Sequence, residues 1–276
     1  MSVGGKDRVR DTVPMDEVAE FNQSRWDALV AARCEYTRPT LDLDKATARA
    51  MVDPEGQLGL LEGLAALCLA AGGGQQSAAF GLLGCDVTVF DLSEAQLDND
   101  RLAAAHYGLA PRLVQGDMRD LSAFASSTFD IVWQAHSINF VPDPIQVFVN
   151  VARVLRPGGL YRLQFTNPFI HGTWATWIDG GYLLAGPYED TELQRDKPWN
   201  VADGDGSVTA VEGPREFKHT LSTVLNGLIG SGLDILGFWE DVDGDATAEP
   251  GSWTHFKTHG APWLTAWSRS HQDRQP

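Results

Sequence analysis

Residues 67–93 read LCLAAGGGQQSAAFGLLGCDVTVFDLS, and the run divides into four pieces with different periodicities. Residues 67–70 are an apolar run of strand length, and Gly72, Gly73 and Gly74 make a tight turn. Residues 75–83 carry apolar positions at helical spacing, and residues 86–91 return as a second strand ending on a carboxylate. Glycine lets a backbone adopt positive φ and approach a ligand where a Cβ would clash, and the first N–H groups of the following helix lack intrahelical partners. Asp91 stands 19 residues after Gly72, the distance at which a strand-end carboxylate accepts hydrogen bonds from a ribose diol. The unit predicts an adenosine-type ligand. As a dinucleotide fingerprint it is incomplete, because GxGxxG falls on Gly72, Gly74 and Ser77.

Downstream, Ser93 has the character of a helix N-cap with Gln96 at capping-box spacing, and Gly108 stops that helix. A third strand over 112–115 leads into Gly116, Asp117 and Met118, and a buried fourth strand over 129–134 is followed by AHSINFVPD. Ile145, Phe148, Val149, Ala152 and Leu155 repeat at helical spacing up to Pro157, and VLRPGGLYRLQF follows. In this order residues 67–168 resemble the core of the class I S-adenosylmethionine-dependent methyltransferases. The Leu-x-Pro-Gly-Gly run at 155–159 is among the more specific marks of that resemblance, which extends in layout to about residue 268.

The resemblance implies a doubly wound, mostly parallel α/β sheet of seven strands, a Rossmann-like methyltransferase fold with an antiparallel last strand. It implies S-adenosylmethionine as cofactor and a small-molecule methyl acceptor as partner. Gly72, Gly73, Gly74, Gln75, Gln76, Asp91, Leu92, Asp117, Met118 and Gln134 are then the expected cofactor-binding positions. Asp117 would meet the adenine amino group and Met118 would pack on the ring. His136 follows the fourth strand, where the family places residues near the reacting methyl group. It could serve as a general base, since imidazole titrates near neutral pH, or pack beside the cofactor. His171 is a second candidate. Two departures bear on the methionine end of the cofactor. Ala70 stands where the family's motif begins with an acidic residue, and Gln76 where it has a further glycine.

Further out, residues 1–55 read as a polar N-terminus and a helical cap, with helix signals over 15–32 and 41–51. Residues 56–270 form the expected methyltransferase domain, 271–276 a tail. Residues 168–215 form an insertion holding Phe169, Trp174, Trp177, Tyr182, Tyr188 and Trp199, which suits an aromatic lid. Residues 216–230 read as a helix, and 233–240 with 262–268 as the closing strands.

A formal charge of −16 argues against a nucleic acid partner, whose phosphates require Lys and Arg. Cys34, Cys68 and Cys85 form no CxxC pair and read as free thiols of a reducing compartment. No run approaches the roughly 18 apolar residues of a membrane span, and the start lacks a signal peptide's apolar core. The expectation is a cytoplasmic protein of unspecified oligomeric state. His255 and His259 are four apart without further ligands at zinc spacing, so no metal site is expected. The acidic strings at 203–207 and 241–245 lack the glycine and glutamate of a calcium loop. GxSxG and GxxxxGK[ST] are both absent. Two other functions stay open on sequence alone, a non-catalytic S-adenosylmethionine-binding protein and a nicotinamide-dependent oxidoreductase.

Overall fold

The computed structural model describes residues 16–171, 177–184, 186–194, 198–202 and 208–271. In chain order, helices α1 (Glu17–Ala31) and α2 (Lys45–Val52) precede β1 (Ala65–Leu69), α3 (Gln76–Leu82), β2 (Asp86–Asp91), α4 (Glu94–Tyr107), β3 (Arg112–Gln115), β4 (Phe129–Gln134), α5 (Pro144–Val154) and β5 (Leu155–Thr166). Short strands β6 (Trp177–Ile178), β7 (Gly181–Tyr182), β8 (Thr191–Glu192), β9 (Trp199–Ala202), β10 (Val208–Val211) and β11 (Phe217–Lys218) follow. Then come α6 (Leu221–Gly230), β12 (Leu233–Glu240), α7 (Trp253–Phe256) and β13 (Trp263–Ser270).

Seven strands form one sheet in the order β12-β13-β5-β4-β1-β2-β3. All neighbours from β5 to β3 run parallel, and β13 is inserted antiparallel between β5 and β12. The strand order reverses at β1 and β4, where open α/β sheets hold ligands beyond the carboxyl ends of their strands. One face of the sheet is packed with Leu67, Leu69, Val132, Phe148, Val151 and Leu163, the other with Ala66, Cys68, Phe80, Leu97, Ile131 and Trp267. Cys34 and Cys68 are buried and Cys85 half-buried, all three as free thiols.

Local chemistry moves several sequence-derived boundaries. The first helix is one piece, begun by Asp16, which accepts from the Ala19 amide. The second starts at Lys45 rather than 41, because Asp44 and Thr47 close a capping box there. The 216–230 helix begins only at Leu221, after the Thr220 cap, since Phe217 and Lys218 pair with β8 as a strand. The 155–159 run is not a free turn. It enters β5, and between the pairs Phe129↔Leu155 and Ile131↔Leu160 the register slips, with Gly158 at φ 79°.

The N-terminal segment is fastened to the sheet by polar contacts. Glu55 receives Nε and Nη2 of Arg162 at 3.1 and 2.9 Å and the Trp267 indole N–H at 3.1 Å. Trp133 donates to the Val52 carbonyl at 3.0 Å, and its ring faces the Arg162 guanidinium at 4.6 Å. Helix α1 packs through Leu29 and Trp26 on Val201, Trp199 and Val211, which brings β9 and β10 over the strand ends.

Candidate functional site

A cavity of about 1170 Å³ opens beyond the carboxyl ends of β1, β2, β3, β4 and β5, between the sheet and the segments carrying α1 and β9. Ala70, Gly72, Gln75, Gln76, Asp91, Leu92, Asp117, Met118 and His136 all lie on its wall. Gly73, Gly74 and Gln134 do not.

Asp91 ends β2 in a buried position and accepts from the backbone N–H groups of Gly72 and Ser93, both at 2.9 Å. Burial pushes its carboxyl up to about 6, against the lowering effect of those two donors. Ser93 caps α4 through the Gln96 amide, and its hydroxyl donates to Asp27 of α1. The Gln96 side chain does not complete a capping box. It turns to the cavity, where its Oε1 is buried with no protein partner among the described residues.

The glycine turn differs from its sequence reading in one respect that reorganises the site. The Gly73 and Gly74 amides do not face the cavity. They donate to the two oxygens of Asp100, a carboxylate 1% exposed on α4, at 3.0 and 3.1 Å, and the Ser77 hydroxyl donates to it as well. Burial pushes the Asp100 carboxyl up to about 7, against these hydrogen bonds and with further raising by the nearby Asp91 charge. A Cβ on Gly74 would meet the Asn99 carbonyl oxygen at 2.7 Å and Ala103 at 2.8 Å, so glycine is required there by the approach of α4. Ala70 adopts φ 45°, a left-handed conformation that costs a residue with a Cβ about 1–2 kcal/mol. Nothing in the sequence pattern singled out Asp100, since a carboxylate inside a helix ordinarily faces water.

Gln75 reaches away from the turn, donating to the Tyr36 and Arg38 carbonyls at 3.1 and 2.7 Å, and so ties it to the segment after α1. Gln76 holds its Oε1 buried and without a protein partner among the described residues. Asp117 is gripped by Arg119, whose outer nitrogens also bind Asp16 at 2.7 and 2.9 Å, and this pairing holds the Asp16 carboxyl down at about 2. Gln134 is fully buried behind the wall. It donates to Ser137 Oγ at 2.9 Å and Met118 Sδ at 3.2 Å, both residues of the cavity wall, and accepts from Tyr161.

At the far end, His136 takes φ 42°, sets Nε2 2.7 Å from Thr166 Oγ1, and stands edge-on to Trp263 with ring centres 4.0 Å apart. Non-glycine residues held in this conformation cluster at functional sites. His171 and Glu216, both buried and both on the wall, form a second polar group with Nε2 and Oε2 3.2 Å apart. Asn139 Nδ2 lies 3.4 Å from the other His171 nitrogen, Nδ1. A donor at Nδ1 leaves the proton on Nε2, directed at the carboxylate.

The aromatics expected to form a lid divide between several places. Phe169 and Tyr188 stack on each other near the surface, ring centres 4.5 Å apart, and Trp177 and Tyr182 pack on His255, His259 and each other. Trp199 lines the cavity edge-on to Trp26, and Trp174 and residues 203–207 lie outside the described residues. Trp26, Tyr36, Trp253 and Trp263 complete the aromatic wall from outside the insertion. His255 and His259 stack on each other, with the Tyr182 hydroxyl 2.6 Å from His255 Nδ1.

The wall residues fit S-adenosylmethionine. The amide oxygens of Gln76 and Gln96 are buried acceptors awaiting a donor, which an α-ammonium or a hydroxyl supplies, and a buried polar atom without a partner is costly. Asp91 stands within this same wall with a carboxylate, a group able to accept from a ribose diol.

Comparison with known proteins gives matches of three kinds, to a family model, to curated relatives and to solved structures. A methyltransferase domain model fits residues 67–163. The uncharacterized methyltransferase YbaJ of Bacillus subtilis (strain 168) is 35% identical over 188 residues, which cover 67% of this chain and 71% of that protein. A ubiquinone biosynthesis O-methyltransferase of Caulobacter vibrioides is 30% identical over 123 residues, covering 45% of this chain and 49% of that one, so the chain spans about half of that relative's length. Among solved structures, an S-adenosylmethionine-dependent methyltransferase from Mesorhizobium loti superimposes with a TM-score of 0.56 at 22% identity, covering 83% of this chain and all of that chain, a likeness of fold.

Proposed function

The chain belongs to the class I S-adenosylmethionine-dependent methyltransferases, and we propose that its acceptor is a small organic molecule bound between His136, Thr166 and the aromatic wall. The observation carrying this reading is the single cavity that runs from Asp91 to Trp263 and Glu216. The formal charge of −16 disfavours a polyanionic acceptor. The name of the Caulobacter relative, a ubiquinone biosynthesis O-methyltransferase, points to small acceptors in related chains. A cytoplasmic location belongs to the same proposal, on the three free cysteines. Among the described residues, no helix is long and apolar enough to cross a membrane.

When bound, S-adenosylmethionine supplies a methyl group already activated on a sulfonium, so the protein's work is to position, desolvate and, for an acidic acceptor, accept a proton. In this reading Asp91 accepts from the ribose hydroxyls, Asp117 and Met118 flank the base, and Gln76 and Gln96 accept from the methionine end. The segments 1–55 and 168–215 act as the cap and the lid, with Trp26 and Trp199 keeping water out. His136 holds the acceptor hydroxyl or amine and takes its proton at Nε2, displacing the Thr166 contact. A nicotinamide-dependent oxidoreductase has no claim once the family is fixed.

Calorimetric titration with S-adenosylmethionine tests the cofactor contacts. Asp91→Ala should weaken binding by about 1–3 kcal/mol, the cost of removing a charged hydrogen-bond partner. A screen of phenols, amines and thiols with a tritiated methyl donor tests the acceptor. Turnover on protein or nucleic acid alone would refute the small-molecule reading.

A further inference from the structure

Three polar groups are not used by the reading above: the buried His171–Glu216 pair, the buried His255 with the exposed His259 stacked on it, and the buried Asp100. The last has the most complete set of contacts. Its two oxygens receive the Gly73 amide, the Gly74 amide and the Ser77 hydroxyl, so one carboxylate from α4 fixes the turn after β1 and the first turn of α3 together. The next residue back, Gly72, donates to Asp91. The loop between β1 and α3 is therefore held by two carboxylates, Asp100 behind it and Asp91 on the cavity wall, while Gly72, Gln75 and Gln76 form the adjoining part of that wall.

Other charged and titratable groups near Asp100 are few. Asp91 at the end of β2 raises it by repulsion, Cys68 on β1 is a fully buried thiol that feels the Asp100 charge, and Asp27 of α1 acts on Asp91. No Lys or Arg is among its hydrogen-bond partners on the described residues. A carboxylate so placed has neutral dipoles to stabilise it but no countercharge. A ligand carrying a sulfonium and an ammonium on the far side of the turn would supply one.

We propose that Asp100 is a positioning residue of the cofactor site, holding the glycine turn in its binding shape and releasing its proton to solvent when the cationic cofactor binds. Asp100 is not among the residues lining the cavity and acts through the turn it holds. The inference rests on S-adenosylmethionine binding at this cavity. Binding then favours the ionised carboxylate, so affinity rises with pH through the range in which Asp100 titrates, near 7.

The test is calorimetry of the full chain with S-adenosylmethionine in two buffers of different ionisation enthalpy, from about pH 6 to about pH 8, on wild type, Asp100→Asn and Ser77→Ala. Wild type should release a fraction of a proton on binding near neutrality, and Asp100→Asn should release less and bind at least about tenfold more weakly at the higher pH, the loss expected for a charge-assisted hydrogen-bond set. Thermal melts establish that each variant folds. Should Asp100→Asn not fold, Ser77→Ala carries the test. It removes one donor to the ionised carboxylate and should move the pH midpoint of affinity upward. Asp100→Asn with wild-type affinity and proton release, or Ser77→Ala with an unmoved midpoint, overturns the proposal. Absence of binding by wild type would instead refute the cofactor contacts, a separate outcome.

Discussion

Replacing Asp100 by asparagine should flatten the pH dependence of stability in the ligand-free protein. The folded chain holds this carboxyl at about 7, against an ordinary value of 3.8, because it is buried. A carboxyl raised on folding contributes stability that is fully present below its unfolded pKa and is lost as pH rises through its folded pKa. The window for Asp100 is therefore the interval from about pH 7 down to about pH 4. At about pH 5.5 the folded group is protonated and the unfolded one is not, and a gap of about 1.5 pH units below 7 amounts to about 2 kcal/mol relative to about pH 8. Coupling to Asp91 trims this to about 1–2 kcal/mol, or about 2–4 °C in Tm for a chain of this size.

Other groups titrate in the same range. Asp91, held up at about 6 by burial, adds stability in the same direction as pH falls. His219 opposes it: burial lowers its pKa below 6.5, so its contribution is lost as pH falls through that lowered value. Both are present in wild type and variant, so the difference between the two curves reports Asp100 together with its coupling to Asp91. The assay is a series of thermal melts without ligand across the range for both proteins. Wild type should gain stability on acidification relative to Asp100→Asn. Curves that run parallel over the whole range would refute the assignment of a buried, proton-binding carboxyl at this position.

Ala70→Gly should raise Tm, since relief of a left-handed alanine at φ 45° outweighs the extra chain entropy of glycine by about 0.5–1 kcal/mol; a drop in Tm would show that the strain is absent. Glu55→Ala should cost about 3–5 kcal/mol in urea unfolding, because the Arg162 side chain, 4% exposed, loses its carboxylate. His136→Gln should lower kcat about 10²–10⁴-fold on an acceptor that must lose a proton while leaving S-adenosylmethionine affinity unchanged, and wild-type turnover would remove the histidine from proton transfer. Arg119→Ala should free the Asp16 carboxyl from the pairing that holds it at about 2, so NMR titration should place it near the ordinary 3.8.

The strand, turn, helix and strand of residues 65–91 were legible because each piece carries its own period or its own glycines, and the distance along the chain singled out the strand-end carboxylate that lines the cavity. Gln134 was misplaced for a reason of parity. It belongs to β4, whose side chains alternate between faces, and its turn falls on the core side with Tyr161, so the cavity wall begins one residue later at Ala135. Trp263 on β13 and Trp253 on α7 just before it escaped notice because β13 enters the sheet beside β5 from about 100 residues away in sequence. The three glycines divide: the Gly72 amide serves Asp91 on the cavity wall, the Gly73 and Gly74 amides serve Asp100 behind the turn, and the missing Cβ of Gly74 makes room for α4. A glycine motif read from sequence thus records a close approach without saying what approaches. Here that is the helix bearing Asp100, so substitutions on the α4 face at Asn99, Asp100 and Ala103 should disturb the cofactor wall as directly as substitutions in the turn itself.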